Sequence, residues 1–120
     1  MYLSQTNIKE LRHKIEKEEG FQIVLVPMQT ATFLNVKIAT DALYKALINA
    51  GISVLVDDRD EKPQNKFEVV QFLKIRHRLV ISSRSISAGV YEYLDRQTDC
   101  FEKVPEEMAL EFLKRCVSSV

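Results

Sequence analysis

A chain of 120 residues with 46% apolar side chains is long enough to bury one core without disulfide or metal staples. Its 17 basic and 17 acidic residues cancel, which excludes nucleic-acid binding through bulk positive charge and leaves only a local patch for any such contact. Cys100 and Cys116 lack metal-ligand or CxxC spacing, no apolar run approaches the ~20 residues of a membrane span, and MYLSQTNIKE lacks a signal-peptide layout, so a cytoplasmic domain with free thiols and no membrane attachment is expected.

Asn7 and Glu10 have N-cap and N3 spacing, Ile8, Leu11 and Ile15 share one helical face, and Gly20 offers a stop. Residues 1–20 are therefore expected to hold a short peripheral helix, with His13 facing solvent. Residues 21–26 form an apolar run broken only by Gln22, as suits a strand covered on both faces, and Pro27 ends it. A loop over residues 28–33 leads into a helix reaching about Ala50, with Val36, Ala39, Leu43 and Leu47 as its inner stripe and Gly51 as its stop.

Residues 52–56 read as a second buried strand. Past a charged loop, Asn65 and Glu68 repeat the cap spacing, and Phe67, Val70 and Leu73 turn inward on a second helix. A third strand covers residues 78–81. Residues 90–94 and 101–104 form a hairpin with a longer loop, Tyr91 and Tyr93 packing on one face. Pro105 suits the first turn of a final helix that buries Met108, Phe112, Leu113 and Cys116.

This order, β-α-β-α-β-β-β-α, predicts an α/β fold over residues 21–120. Three layers, α/β/α, enclose a mixed, mostly parallel five-stranded sheet, and the N-terminal helix is added to them.

The stretch VLVDDRDEKPQNKF (residues 54–67) concentrates the polar chemistry. In an open α/β sheet, loops leaving the carboxyl ends of strands are where ligands are met. Asp57 and Asp58 permit paired-carboxylate chemistry, but neither a His nor a third acid of suitable spacing accompanies them. The plainer reading is that one caps the turn and the other pairs with Arg59 or Lys62. Phe67 is a core residue or a stacking one, and Phe33, in the neighbouring loop, is the better stacking aromatic.

Residues 69–91 hold no acid but carry Lys74, Arg76, Arg78 and Arg84. Parallel pairing puts Arg84 on the edge of the Asp57 loop and Arg76 and Arg78 on the opposite edge. His77 opens a strand with no nucleophile beside it. Neither Arg59 nor Arg76 lies on an apolar stripe, so folding is expected to survive loss of either.

The element order, with DALYKALINAGISVLVDDRD (residues 41–60), the Lys66-Phe67 pair and YEYLDRQT (residues 91–98), resembles the anticodon-binding domain of class II aminoacyl-tRNA synthetases. Asp57-Asp58-Arg59 followed by Glu61 and Lys66-Phe67 is most similar to the C-terminal domain of the prolyl members. Gln64-Asn65 and Ser82 stand where that family usually has glycines.

The resemblance implies a tRNA anticodon stem-loop as partner, contacted by Phe33, Asp58, Arg59, Glu61, Lys62, Lys66 and Arg84. It also implies a homodimeric parent synthetase using ATP and magnesium in a catalytic domain that this chain is too short to hold. No catalytic, cofactor-binding or metal-binding residue is then expected here. The rivals are an accessory or protein-interaction module of the same fold that has lost tRNA binding, and a small α/β domain binding a nucleotide or other small molecule at the Asp57 loop. The scattered glycines speak against the second.

Overall fold

Ile23, Val24, Leu25, Val26 and Pro27 have no polar side chain among them, and in the computed structural model they form strand β1 (Ile23–Pro27), buried along its whole length. The structure describes residues 2–5, 9, 13, 21–59, 62, 64–66, 68 and 75–118. The strand begins two residues later than the apolar run suggested. Gln22 is drawn into a reciprocal contact instead, its backbone N–H donating to the Ser53 carbonyl and its side chain accepting from the Ser53 N–H, each at 3.0 Å. Pro27, lacking an N–H, closes the strand from within it, opposite Ile81.

The helix after it, α1 (Leu34–Asn49), ends as its sequence dictates. Gly51 takes φ 80°, its N–H reaches the Ile48 carbonyl, and the Ile52 N–H reaches that of Leu47, a Schellman stop. Strand β2 (Val54–Val56) pairs in parallel with one side of β1, and β3 (His77–Ile81) with the other.

A short helix that the periodicity did not suggest follows, α2 (Ser83–Ala88). Ser82 caps it in a reciprocal arrangement with Ser85, and Gly89 at φ 72° ends it. Ser82 is extended, at φ −134°, so the serine standing in place of a family glycine needs no left-handed backbone and supplies a cap instead.

Strands β4 (Val90–Asp95) and β5 (Cys100–Pro105) continue the sheet antiparallel, giving the order β2-β1-β3-β4-β5. A single helical turn, Glu106–Met108, leads into α3 (Ala109–Ser118). Met108 stands half-exposed on that turn, against expectation. The helix begins one residue beyond it and buries Ala109 and Leu113, with Phe112 and Cys116 partly covered.

One face of the sheet packs Ile23, Leu25, Val54, Val56, Leu79 and Ile81 against α1 and α3, with Tyr91 and Tyr93 on the same side. The other face gathers Val24, Val26, Leu55 and Val80 with Leu3 and Ile75. Both faces of the parallel strands are therefore covered, as an α/β fold requires. Of the expected N-terminal helix only Lys9 and His13 are described, both exposed. The inward residues assigned to the helix after the charged loop, Phe67, Val70 and Leu73, lie outside the described residues. Among the described residues no helix is long and apolar enough to cross a membrane.

Where β3 begins, the buried His77 faces the Tyr93 hydroxyl across 2.7 Å, and Arg76 grips Asp95 through two hydrogen bonds of 2.9 Å. Burial, aided by the Arg76 charge, lowers the imidazole below its ordinary value of 6.5. The unfolded chain then binds this proton more readily than the folded one. This group's contribution to stability is kept above about pH 6.5 and is lost as the pH drops from there through the lowered value, by at most about 1.4 kcal/mol per pH unit. Urea midpoints at pH 7.5 and 5.5 are expected to show this loss, and His77→Gln to flatten it. Since His13, the chain's other histidine, is exposed, an unflattened profile in that variant would assign the loss elsewhere.

Candidate functional site

Because β2, β1 and β3 run parallel and adjacent, their carboxyl ends deliver three loops to one edge of the sheet. Beyond β2, the Asp57 N–H donates to the Leu25 carbonyl at 2.9 Å, which sends the Asp57 side chain into the protein, where it is 1% exposed. Its carboxylate receives the Arg59 Nε at 2.8 Å and Nη2 at 3.1 Å, a fork-to-fork pair. Asp58 turns the other way. Its Oδ1 accepts from the Ser4 N–H at 2.9 Å and its Oδ2 from the Ser4 hydroxyl at 2.6 Å.

Lys66 corrects the sequence reading. Expected to meet a phosphate or a base, it is 1% exposed and points inward. Its ammonium donates to the Pro27 carbonyl at 2.7 Å and to the Asp57 carbonyl at 3.0 Å. The cation ties the end of β1 to the end of β2 and supports the loops from below. Lys62 is exposed, and its carbonyl accepts from the Lys66 N–H at 3.2 Å. Glu61 lies outside the described residues.

Beyond β1, Gln29 adopts a left-handed conformation (φ 56°), and its carbonyl accepts from the Thr32 and Phe33 N–H groups. This tight turn delivers Phe33 to the start of α1, half-buried against the core. Beyond β3, the Ser82 cap starts α2 and leaves Arg84 exposed on its first turn. Phe33 and Arg84 meet at a cavity of about 410 Å³, lined also by Met28, Gln29, Ser82, Ser83 and Ser87.

Among the described residues that lining holds one cation, neutral donors and acceptors, an aromatic ring and no carboxylate. The structure therefore joins Phe33 to Arg84 and keeps Asp58 and Arg59 on the neighbouring loop. Sequence reading missed Gln29 and the serines. The spacing of Ser82 and Ser85 was the available cue, since it announces a helix start that places hydroxyls around Arg84.

An α/β sheet with polar loops gathered at its parallel carboxyl edge is the setting in which such folds take ligands. The model of the anticodon binding domain family matches residues 22–116, and the chain belongs to that family. Over 76 residues it is 45% identical to the proline–tRNA ligase of Elusimicrobium minutum (strain Pei191). That match takes in 63% of this chain and 13% of the relative, so the chain corresponds to a small part of the ligase's length.

Proposed function

We propose that this domain recognises the anticodon stem-loop of a tRNA, within or alongside a class II synthetase that joins proline to its tRNA. The observation that carries the reading is the meeting of Phe33 and Arg84 at one cavity beside the Asp58–Arg59 loop, in a chain of the anticodon binding domain family. Anticodon bases are unpaired, so their faces and Watson–Crick edges are open to a protein.

The Phe33 ring offers a stacking surface, and the Arg84 guanidinium offers planar donors to an acceptor edge. The serine hydroxyls can serve either role, while Asp58 accepts from a base amino group. Arg59, Glu61 and Lys62 complete the proposed contacts. Lys66 is reassigned as their support.

We take residues 21–120 as the recognition domain, with residues 2–4 of the preceding segment docked on its β2 edge. ATP and magnesium belong to the parent's catalytic domain, which would act in the cytoplasm as a homodimer. Gly51 and Gly89 are both spent as helix stops, so neither opens a phosphate-cradling loop. The 45% identity to a proline–tRNA ligase supports tRNA recognition over the accessory-module alternative.

Titration with a proline anticodon stem-loop tests the reading. Affinity is expected to fall with salt, each neutralised phosphate contributing roughly −0.7 to the slope of log K against log salt. Arg84→Ala is expected to weaken the cognate loop about tenfold, within the roughly 1–3 kcal/mol of a good base contact, and a loop with swapped anticodon bases less. Lys103→Ala, on β5, should weaken both little and equally. If Arg84→Ala leaves cognate affinity intact, the bound edge of the sheet has been misassigned.

A further inference from the structure

We infer that Ser4 is a positioning residue for the tRNA-contacting loop, acting through Asp58. The inference rests on the tRNA reading above and assigns a role to a segment outside the matched residues 22–116.

Residues 2–4 dock on the open edge of β2. Tyr2 bridges to Val56 in parallel register, its hydroxyl donates to Asp41 Oδ1 at 2.5 Å, and its ring meets Tyr44 edge-on at 4.9 Å between centroids. Leu3 is 1% exposed, within the apolar cluster on the second face of the sheet. With its neighbours fixed in this way, Ser4 presents two donors in a set geometry, the N–H to one Asp58 oxygen and the hydroxyl to the other.

A carboxylate has about four lone-pair sites, so a donor on each oxygen fixes its plane and leaves acceptor capacity on both. On the other side of Asp58 the backbone is anchored as well. The Asp57 carbonyl is held by Lys66 and the Asp57 carboxylate by Arg59. Asp58 is thus an acceptor whose orientation is set before any base arrives, and preorganisation of this kind lowers the ordering cost of binding.

The test combines a binding cycle with a measurement that needs no RNA. Ser4→Ala is expected to weaken the cognate stem-loop three- to tenfold, and Ser4→Thr, which keeps both donors, to restore it. In an Asp58→Ala background Ser4→Ala should add nothing, because its effect passes through that carboxylate. Thermal midpoints control for folding, and amide hydrogen exchange over residues 57–59 should quicken in Ser4→Ala.

Unchanged affinity in Ser4→Ala overturns the role, and so does tighter binding, which would mean that Ser4 competes with RNA for Asp58. Fully additive losses in the double variant would make Ser4 structural only. A wild-type chain that does not bind the stem-loop overturns the tRNA reading and the Ser4 role with it, whereas binding left intact by Ser4→Ala overturns the Ser4 role alone.

Discussion

Lys66→Met is expected to cost the fold roughly 2–4 kcal/mol, although methionine approximates the aliphatic stem of lysine and adds no polarity. The ammonium it removes is 1% exposed and serves the Pro27 and Asp57 carbonyls, which close the ends of two adjacent strands. Hydrogen bonds to a charged donor are worth about 1.5–3 kcal/mol each, and a buried carbonyl deprived of one costs about 1–3 kcal/mol. Relief from burying a charge offsets part of this, which keeps the net figure below the simple sum. Urea denaturation should show a lower midpoint at an unchanged slope, and the melting temperature should fall by roughly 10 °C or more. Lys62→Met, at an exposed position four residues earlier, serves as control and should stay within about 0.5 kcal/mol. A Lys66→Met variant as stable as that control would show that the two carbonyls are satisfied without the lysine.

Lys66 also marks where the sequence stops being legible. A lysine next to a charged loop reads as a solvent-facing cation, and only the tertiary approach of the Pro27 and Asp57 carbonyls makes an inward orientation favourable. No periodicity encodes that approach. By contrast, the buried strands β1, β2 and β3 and the stripe of α1 were legible, because continuous apolar runs and a helical period are local records of burial. The shared edge of the Asp57 loop and Arg84 was legible too, since it follows from parallel pairing alone.

Helix α2 was missed because its six residues carry no apolar stripe, and only the Ser82–Ser85 cap and Gly89 announced it. Met108 was misread for the opposite reason. It continues the apolar spacing of α3, but the turn over Glu106–Met108 is not in register with that helix. The partner of Asp58 could not be foreseen, because Ser4 lies 54 residues away in the chain and nothing in a serine's spacing points to so distant a carboxylate.

Arg59→Ala should cost about 2–4 kcal/mol of stability, although Arg59 lies on no apolar stripe and the sequence alone suggests a harmless change. Exposed ion pairs are worth about 0–1 kcal/mol. This one differs, since its carboxylate side chain is only 1% exposed and the arginine 21%. Removing the guanidinium leaves the buried Asp57 carboxylate with the long 3.5 Å contact from the Arg59 backbone N–H in place of its ion pair. Loss of a buried partner costs roughly 3–5 kcal/mol, which that contact and the partial exposure of Arg59 reduce. Arg59→Lys should recover only part of the loss, because an ammonium cannot replace the two parallel donors of the fork. In a cycle with Asp57→Asn, the double variant should be less destabilised than the sum of the singles, since the buried charge is gone. Any RNA affinity measured on Arg59→Ala must therefore be taken where the variant is fully folded. On that footing its loss of affinity combines a missing donor with a loosened loop, whereas Arg84→Ala reports the donor alone. Equal stability of Arg59→Ala and the wild-type chain would mean that Asp57 is supported without its arginine, and the loss of RNA affinity in that variant would then be the missing donor's alone.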